Sequence, residues 1–528
     1  MRMRKPIQLL IVMILVSFSI QLILSVQSVE FMIRRFLADD FFYYLGVSES
    51  ISKGLGPVFS AGDMTNGFHP LFVIIQVPLF WLTNSNILPI NLSLIILSIF
   101  FSATAYFLFK IVSMKFGEEA GLFASFFWLF NPILIFTALM GTEVAIYVFF
   151  ISAVFYYYLK YRDSLKIKNA LIIGILLGLT ILSRTEGVIL LVTLLIDQFI
   201  HKKCWKKPKK IKPFLKFSFF LTTPSVIITL PWFLWNYLTF GTIIQSSAKI
   251  KYLMGHKLFF DATNISFSET IKHIFLNYTM PFQRFYHMIF IRFSHGIGLT
   301  ISLILGLLII FFTGLFLFDT KKSGLKLLKK RIKNTSELWF TLLFAFLVFS
   351  FYAVYLWIFR NWYYLSLGLV GTIWISVLYK YFSSMKRILC FIIPILFLII
   401  FVFLGFFMIK TGFYQFQDEM YTLGEIEIPK LQGTVGAFNA GIYGYLNPNV
   451  INLDGLINNK AAEYILNGNI AGYIKEKNVT YLIDNIDTIK RFARNEKNPE
   501  AFWNSLKLYK IIPTNLTYRG DWYIYRVV

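Results

Sequence analysis

The fold is decided by a stretch that reads Leu-Ala-Asp-Asp-Phe-Phe-Tyr-Tyr-Leu-Gly at residues 37–46 and Thr-Asn-Gly-Phe-His-Pro-Leu at residues 65–71. It follows the first apolar segment and places two adjacent carboxylates, Asp39 and Asp40, at the edge of a membrane. Charge there is costly unless it has a function. The aromatic run that follows is typical of a helix in the headgroup region. We therefore predict an active-site loop folded onto the bilayer surface.

The composition defines the broad class of protein. Of the 528 residues, 57% are hydrophobic and 15% are charged, and the mean hydropathy is +0.65. Soluble domains are closer to half apolar and a quarter charged, so this composition predicts a polytopic membrane protein. The net charge of +24 comes from basic residues clustered in short loops, which is typical of cytoplasmic loops and not of a nucleic-acid-binding surface. Cys204 and Cys390 lie on the predicted cytoplasmic side, which argues against a structural disulfide.

Apolar segments near the required length of about 20 residues predict about eleven transmembrane helices. They are Ile7–Val26, Ile87–Val112, Ala120–Met140, Val144–Leu159, Ala170–Ser183, Gly187–Ile200, Phe214–Trp235, Ile297–Phe318, Leu338–Ile358, Tyr363–Tyr379 and Ile388–Ile409. The segment Leu71–Leu82 is too short to cross. If it lies on the surface as a juxtamembrane helix, the basic loops all fall on the side of the N-terminus, as the positive-inside rule requires. We expect a multi-pass plasma-membrane protein with a cytoplasmic N-terminus.

This topology divides the chain into two predicted domains. Residues 1–410 form a transmembrane catalytic domain, with an active-site loop at 27–86 and a second outer loop at 236–295. Residues 411–528 lose the apolar runs and form an extracytoplasmic soluble α/β domain. Its predicted strands are Gly433–Phe438, Val450–Leu453, Thr480–Asp484 and Trp522–Val527, and its predicted helices are Lys460–Leu466, Ile470–Lys477 and Ile489–Asn495.

The acidic pair beside a large apolar body suits a substrate with a lipid tail, a phosphate at the interface and a reactive group in water. Polyprenyl-phosphate sugars have this form. Because the phosphate leaves as a stabilised anion, one carboxylate base and nearby cations suffice for transfer, and direct displacement inverts the anomeric centre. Adjacent helical residues point about 100° apart, so the two acids have different roles. We assign Asp39 as base and Asp40 to positioning or metal binding, with the reverse as a close alternative and helix capping as the non-catalytic explanation.

Polar residues on the outer face supply the candidates for binding the donor phosphate or the substrate. They are His69, Arg184, Lys251, Arg292, Arg360, Tyr44, Asn66 and Glu186. A guanidinium such as that of Arg184 binds phosphate oxygens as readily as carboxylates, and a structural network with Glu143 and Glu186 is the competing explanation. For the basic residues of the second outer loop, the alternative is attraction to anionic lipid headgroups.

The acidic-pair loop is joined by several further motifs. They are Gly-Thr-Glu at 141–143, Ser-Arg-Thr-Glu-Gly at 183–187, Pro-Trp-Phe-Leu-Trp-Asn-Tyr-Leu-Thr-Phe-Gly at 231–241 and Ile-Asn-Leu-Asp-Gly-Leu at 451–456. Together they resemble the GT-C superfamily of polytopic glycosyltransferases. The chain is most similar to the branch with the mycobacterial terminal arabinofuranosyltransferase, and more distantly to protein O-mannosyltransferases and aminoarabinose transferases.

The resemblance implies a polyprenyl-phosphate monosaccharide donor, an outward-facing site, two juxtamembrane helices in the first loop and a catalytic acid matching Asp39 or Asp40. Metal use varies within the superfamily, so a divalent ion on Asp39 and Asp40 is an open alternative and no cofactor is assigned. The segment at residues 65–71 differs from the Gly-Tyr-Thr motif of the arabinosyltransferases, so the resemblance does not identify the transferred sugar.

The sequence therefore predicts a membrane glycosyltransferase of hexosyl or pentosyl type. It would move a monosaccharide from a polyprenyl-phosphate donor to an extracytoplasmic glycan, lipid or protein acceptor. A secondary transporter or lipid-carrier flippase is the alternative, but such proteins have ionisable groups near the bilayer midplane, whereas here they gather at one face. A non-catalytic scaffold would leave the acidic pair unexplained.

Overall fold

The computed structural model describes residues 5–83, 85–163, 166–259, 266–290, 335–358, 360–412, 415–516 and 520–528. Up to residue 412 its α-helices are α1 (Lys5–Ser25), α2 (Val29–Arg35), α3 (Asp39–Ser52), α4 (Pro70–Trp81), α5 (Leu88–Phe116), α6 (Glu118–Phe130), α7 (Pro132–Ala138), α8 (Val144–Tyr161), α9 (Ile167–Ser183), α10 (Val188–His201), α11 (Ile211–Phe240), α12 (Ser246–Leu253), α13 (Phe267–Phe290), α14 (Trp339–Ser350), α15 (Tyr364–Met385) and α16 (Leu389–Thr411). Single 3₁₀ or π turns lie at Thr185–Gly187, Pro208–Lys210, Met254–Phe259, Phe351–Leu356 and Asn361–Tyr363.

Among the described residues, seven helical stretches are long and apolar enough to cross a membrane. They contain α1, α5, α8, α11, α14, α15 and α16. The pair α6 and α7, bent by 59° at a break, is an eighth candidate. The break has a local cause, because Pro132 lacks an N–H and the Asn131 side chain caps α7 instead. Since α9 and α10 are shorter and Ile297–Phe318 lies outside the described residues, the count of eleven stays a prediction.

The first loop is folded into three helices, α2, α3 and α4. Helix α4 has Pro70 at its first position and only 12 residues, which agrees with the expected juxtamembrane segment. Helix α3 packs against α4 on one side and against the C-terminal domain on the other. The Phe41 and Phe42 rings are therefore fully buried and Tyr43 nearly so. The aromatic run packs inside the protein, and the expectation that its rings sit among lipid headgroups was wrong.

The C-terminal domain contains a five-stranded mixed sheet with the strand order β2-β1-β3-β5-β4. Its strands are β1 (Thr434–Ala437), β2 (Val450–Asn452), β3 (Val479–Asn485), β4 (Leu506–Ile512) and β5 (Trp522–Val527). Strand β1 runs parallel to β2 and β3, with Val435 opposite Val450 and Tyr481, and β5 pairs antiparallel with β3 and β4. The four predicted strands are present within two residues of their ends, and β4 at the sheet edge was not predicted.

Six helices complete this domain, joined by a 3₁₀ turn at Ile428–Lys430. They are α17 (Gln415–Ile426), α18 (Gly441–Leu446), α19 (Asn459–Leu466), α20 (Ile470–Glu476), α21 (Ile486–Ala493) and α22 (Pro499–Asn504). Helix α17 packs on α2 and α18, and α18 packs on α3. The C-terminal domain therefore rests directly on the first loop, at the end of α3 that carries the acidic pair.

Candidate functional site

Asp39 and Asp40 are the first two residues of α3, where negative charge is favoured by the helix dipole. The Asp39 side chain points into the C-terminal domain. Its Oδ1 accepts a hydrogen bond from the Ile442 N–H at 2.7 Å, and its Oδ2 accepts one from the Gly441 N–H at 3.2 Å. Asp39 therefore caps the start of α18 and ties the two domains together.

The backbone around Asp39 is held by Gln417 of α17, a buried side chain. With its amide oriented to satisfy both partners, Gln417 donates to the Leu37 carbonyl and accepts from the Asp39 N–H at 2.9 Å. Burial raises the pKa of Asp39 to about 7, with Asp40 adding to the effect and the hydrogen bond from Ile442 opposing it. Asp39 is thus a firmly held carboxyl group that exchanges its proton near neutral pH.

Asp40 differs from its neighbour because its side chain remains 26% exposed. Its Oδ2 lies 4.0 Å from Nζ of Lys251, which lies on α12. The Lys251 ammonium also lies 5.8 Å from the centre of the Tyr363 ring, a cation–π distance. Burial alone would lower the pKa of Lys251, but Tyr363 and Asp40 hold it above its ordinary value. The lysine therefore stays charged beside Asp40.

Three cavities are linked by lining residues: Asp40 lines two of them, and the remaining cavity shares a lining residue with one of these two. The first, which we call the apolar groove, has a volume of about 450 Å³ and is lined by Phe68, Val73, Ile74, Ile228, Trp232 and Trp235 among others. The second, the polar pocket, has about 40 Å³ and is lined by Asp40, Tyr44, Phe68, His69 and Lys251 among others. The third, the interdomain cavity, has about 220 Å³ and is lined by Asp39, Asp40, Arg360, Asn439, Asp454 and Arg491 among others.

The three cavities lie in series. Phe68 lines both the apolar groove and the polar pocket, and its ring packs on Trp232 with centroids 5.2 Å apart. Asp40 lines both the polar pocket and the interdomain cavity. The neighbouring cavities in this series therefore share a lining residue, Phe68 in one case and Asp40 in the other.

Arg184 lies in a buried ion network beside the polar pocket. Its guanidinium binds Glu143 and Glu186, and the Tyr352 hydroxyl donates to Glu186 at 2.6 Å. Burial opposes ionisation of Glu186, but the charge of Arg184 lowers the pKa of Glu186 to about 2. Because two carboxylates already neutralise this guanidinium, the structural network expected as the competing explanation is present.

His69 immediately precedes α4, and its side chain, which is 16% exposed, lines the polar pocket. Burial lowers its pKa to about 4, with Glu143 opposing that shift, so the ring is neutral at pH 7. Its Nε2 lies 3.7 Å from Oε1 of Glu143, and its Nδ1 is buried without a hydrogen-bond partner among the described residues. An unsatisfied buried ring nitrogen of this kind is suited to a hydrogen bond with a bound ligand.

The remaining predicted residues fall into different places. Tyr44 lines the polar pocket and hydrogen-bonds Glu143. Asn66 is fully buried, and its Oδ1 accepts from the Ser246 N–H at 2.9 Å, so it positions the start of α12. Arg360 lines the interdomain cavity. Arg292 lies outside the described residues.

The C-terminal domain supplies site residues that the sequence did not single out individually. Asp454 is 4% exposed, accepts the Leu456 N–H at 2.8 Å and lies 3.5 Å from the Tyr43 hydroxyl. That hydroxyl also accepts the Ala440 N–H at 3.0 Å. Asp454 belongs to the Ile-Asn-Leu-Asp-Gly-Leu motif at 451–456, whereas Arg491 belongs to no motif of the sequence. Both lie in one cavity with Asp40.

A divalent metal on Asp39 and Asp40 stays a prediction that this geometry does not favour. Both oxygens of Asp39 already accept backbone hydrogen bonds. In the part of the chain that the structure describes, no three His, Cys, Asp or Glu side chains come close enough to hold a metal ion.

The buried carboxyl of Asp454 makes the stability of the protein depend on pH. Burial raises its pKa to about 8, with Asp40 and Asp39 adding to the effect. The folded state then holds this proton more tightly than the unfolded chain, so its contribution to stability falls as pH rises between about 4 and 8. Asp454→Asn keeps an acceptor for the Leu456 N–H without the charge. We expect the melting temperature of Asp454→Asn to increase relative to that of wild type as the pH rises from about 5 to about 8.

Thermal unfolding in the same detergent at several pH values measures this effect. Glu463→Gln removes an exposed carboxylate from α19 and serves as the control, with an unchanged pH profile. Parallel profiles for Asp454→Asn and wild type would show that Asp454 is ionised in the folded protein.

Comparison with known proteins supports the architecture. Residues 69–247 match the family model for dolichyl-phosphate-mannose-protein mannosyltransferases. No curated protein matches the sequence significantly. The oligosaccharyltransferase of Archaeoglobus fulgidus in its apo form superposes with a TM-score of 0.57 at 13% identity, covering 98% of this chain and 74% of that one. ArnT from Cupriavidus metallidurans bound to undecaprenyl phosphate gives a TM-score of 0.52 at 12% identity, covering 97% of this chain and 98% of that one.

At these identities the likeness shows the fold. The chain is a mostly helical, multi-pass membrane protein with a GT-C-like architecture and a C-terminal α/β domain, as expected from the sequence. Its resemblance to the arabinofuranosyltransferase branch stays a prediction.

Proposed function

We propose that this chain is a membrane glycosyltransferase that moves a monosaccharide from a polyprenyl-phosphate donor to an extracytoplasmic acceptor. The observation that carries the proposal is the series of three cavities, joined by Phe68 and Asp40, that leads from an apolar groove to a carboxylate. The match to a dolichyl-phosphate-mannose-dependent family and the undecaprenyl phosphate bound to ArnT support a lipid-linked donor.

The donor fits the first two cavities. Its polyprenyl tail would lie in the apolar groove against Trp232 and Trp235, which removes apolar surface from water and lipid headgroups. Its phosphate would reach the polar pocket, where Lys251 supplies charge and the unsatisfied Nδ1 of His69 supplies a hydrogen-bonding group. Arg184 contributes indirectly, because its charge is already balanced by Glu143 and Glu186.

We propose Asp40 as the general base, the reverse of our first assignment from the sequence. Its carboxylate faces two cavities and, within the described part of the chain, accepts no backbone hydrogen bond, whereas both oxygens of Asp39 do. Asp40 would take the proton of the acceptor hydroxyl as that oxygen attacks the anomeric carbon. The carbon–oxygen bond to the phosphate breaks on the opposite side, the phosphate leaves with the electron pair beside Lys251, and the anomeric configuration inverts.

The proposal includes an orientation. The N-terminus would be cytoplasmic, and the first loop and the C-terminal domain would be extracytoplasmic in a plasma membrane. Two basic segments support this orientation: the run between α10 and α11, and the residues after α8. Helices α8 and α10 begin at the site, so these basic segments lie at the opposite ends of the helices, as expected for cytoplasmic loops. Cysteine labelling in intact cells, with one cysteine placed at exposed Lys53 and another at exposed Lys206, tests it.

Incubating the purified protein with a panel of polyprenyl-phosphate sugars tests the activity. A productive donor should raise the melting temperature and, with an acceptor, release polyprenyl phosphate. Transport of the intact lipid across vesicles without release of polyprenyl phosphate would point to a flippase instead and would contradict the transferase proposal.

The apolar groove makes a prediction about the carrier. Ile74 lines the groove and is 61% exposed, so Ile74→Trp should fold while filling part of the space for the tail. Displacing about two CH₂ groups of the lipid, at about 0.8 kcal/mol each, should weaken undecaprenyl phosphate binding about tenfold. Thermal shift measures the affinity for undecaprenyl phosphate and for geranyl phosphate. Because geranyl phosphate has a shorter chain, Ile74→Trp should weaken its binding less, and this difference separates the contribution of the tail from that of the phosphate.

The matched control is Leu82→Trp, which adds the same ring at a residue that is 69% exposed and does not line the groove. Equal affinities for undecaprenyl phosphate in Ile74→Trp, Leu82→Trp and wild type would show that the tail does not bind in this groove.

A further inference from the structure

The α12–α19 cleft is a fourth cavity, larger than the three described above, with a volume of about 840 Å³. It is lined by the first loop at Asp63 and Met64, by the end of α11 and the start of α12, and by α19 of the C-terminal domain. Pockets that enclose a small ligand usually have about 300–1,000 Å³. A single sugar ring would therefore leave most of the cleft empty, whereas a short chain of rings matches its size.

Hydrogen bonds between the two domains hold the walls of the cleft in place. The Oδ1 atom of Asn459 accepts hydrogen bonds from the Thr65 hydroxyl and from the Asn66 N–H, each at 3.1 Å. The carboxylate of Asp63 accepts a hydrogen bond from Nζ of Lys477 at 2.7 Å. The cleft is therefore formed before a ligand arrives, which lowers the entropic cost of binding.

The polar lining of the cleft combines hydrogen-bond donors and acceptors. Among the described residues, its ionisable lining consists of the carboxylates of Asp63 and Glu463 and the ammonium groups of Lys249 and Lys460. Because Oδ1 of Asn459 accepts from the first loop, its Nδ2 supplies a further donor. A hydroxyl group both donates and accepts, so a hydroxyl-rich ligand matches this lining. Since the charges of the lining balance, the cleft favours a neutral ligand over an anion.

The same cleft also has apolar surface. The side chains of Met64, Ile244 and Leu466 line it and are exposed. A sugar ring has C–H faces beside its hydroxyls, and these faces lose contact with water when they pack on apolar side chains. None of the described lining residues belongs to the five-stranded sheet, so the cleft offers no sheet edge to which a peptide adds as a strand. The lining therefore favours a saccharide over a peptide.

The cleft and the polar pocket adjoin at the start of α12. Ser246 lines the cleft, and the next residue, Ser247, lines the polar pocket together with Asp40. The Ser246 hydroxyl donates to the Leu456 carbonyl at 3.2 Å, and Leu456 also lines the polar pocket. A ligand in the cleft is therefore a neighbour of the pocket that contains the proposed base.

We propose that the α12–α19 cleft binds a neutral oligosaccharide and that this chain is the acceptor of the transferred sugar. The second part rests on the proposed function, because it names the acceptor class for the same enzyme. The first part is a statement about binding alone, so the two parts are tested separately.

Binding measured without turnover tests the first part. The full-length protein in phosphatidylcholine nanodiscs is titrated with maltotetraose, mannotetraose, arabinotetraose and tetraacetylchitotetraose, each compared with its monosaccharide. We expect at least one tetrasaccharide to bind at least about tenfold tighter than its monosaccharide, because the additional rings gain contacts without a second loss of rigid-body freedom. Failure of all four tetrasaccharides to exceed their monosaccharides would overturn the proposal.

Two further probes test the class of ligand. Tetragalacturonic acid carries a carboxylate on every ring and should bind no tighter than the best neutral tetrasaccharide, because the charges that line the cleft balance. A hexapeptide of alternating serine and alanine, capped at both ends, should bind more weakly than that tetrasaccharide. Tighter binding of the acidic sugar would overturn the neutral class, and tighter binding of the peptide would assign the cleft to a protein acceptor and overturn the saccharide.

Variants place the binding in the cleft. Lys249→Ala on α12 and Glu463→Ala on α19 each remove one charged hydrogen-bonding group, and each should weaken the best tetrasaccharide about tenfold. Lys475→Ala removes an exposed lysine on α20 that does not line the cleft, so it should bind like wild type. Wild-type affinity in both cleft variants, or an equal loss in Lys475→Ala and Lys249→Ala, would contradict a built site.

Turnover with a productive lipid-linked donor separates the acceptor assignment from the proposed function. We expect kcat/KM for the best tetrasaccharide to exceed that for its monosaccharide and to fall in Lys249→Ala. Transfer to the monosaccharide with an equal kcat/KM would uphold the proposed function and overturn the cleft as the acceptor site. Binding of a tetrasaccharide in the cleft without transfer from any lipid-linked donor would leave the binding site standing and reject the proposed function.

Discussion

Asp40→Asn is expected to reduce the rate of sugar transfer by about 10²–10⁴-fold, the usual contribution of a general base. Asparagine keeps the size of the side chain but cannot take the proton of the acceptor hydroxyl. Because Asp40 caps none of the described helices and is partly exposed, the variant should fold with a melting temperature close to that of wild type. The measurement is turnover by purified protein with a productive lipid-linked donor, together with the affinity for undecaprenyl phosphate, which should change little.

Asp39→Asn is the matched control one residue away. Its amide nitrogen would face the N–H group of either Gly441 or Ile442, so one hydrogen bond is replaced by a contact between two donors. We expect a lower melting temperature and a smaller loss of turnover than in Asp40→Asn. Full loss of transfer in Asp39→Asn with retained transfer in Asp40→Asn would restore Asp39 as the base.

Gly441→Ala is expected to abolish most activity from a position that does not contact the reacting atoms. A Cβ added there would overlap the Asp39 carbonyl oxygen and lie 2.7 Å from its Oδ1. Helix α18 would have to move away from α3, which breaks the cap and opens the interdomain cavity. Overpacking of this kind lowers stability by about 1–3 kcal/mol. Thermal unfolding and turnover measured on the same preparation report both effects.

Gly371→Ala in α15 is the control, because an added Cβ there meets nothing within 4 Å. Alanine favours the helix over glycine by about 1 kcal/mol, so this variant should be as stable as wild type or slightly more stable. Similar behaviour of the two alanine variants would show that the close approach of Gly441 to Asp39 is unimportant.

The sequence predicted those features that depend on local pattern. Apolar runs located α1, α5, α8 and α11, and alternating apolar residues located four of the five strands. The network around Arg184 was one of the two interpretations of these motifs, because Glu143 and Glu186 each follow a Thr at the end of a predicted helix. Strand β4 escaped prediction because it is an edge strand whose side chains are mostly exposed, so burial imposed little pattern on it.

The sequence could not distinguish the roles of Asp39 and Asp40, because the difference is made by partners far along the chain. The backbone N–H groups of Gly441 and Ile442 donate hydrogen bonds to the carboxylate oxygens of Asp39. No residue close to 39 in the sequence indicates these partners. The same holds for Phe41 and Phe42, whose burial follows from packing against α4 and the C-terminal domain. Such long-range contacts decide which of two identical side chains remains free to react.

The cap that Asp39 places on α18 has a consequence for biogenesis. During synthesis the ribosome produces the acidic pair hundreds of residues before its partners at Gly441 and Ile442, so a nascent chain that is still inserting has no finished catalytic centre. Under the proposed function, we therefore expect no activity until Gly441 and Ile442 have been translated and have docked on Asp39.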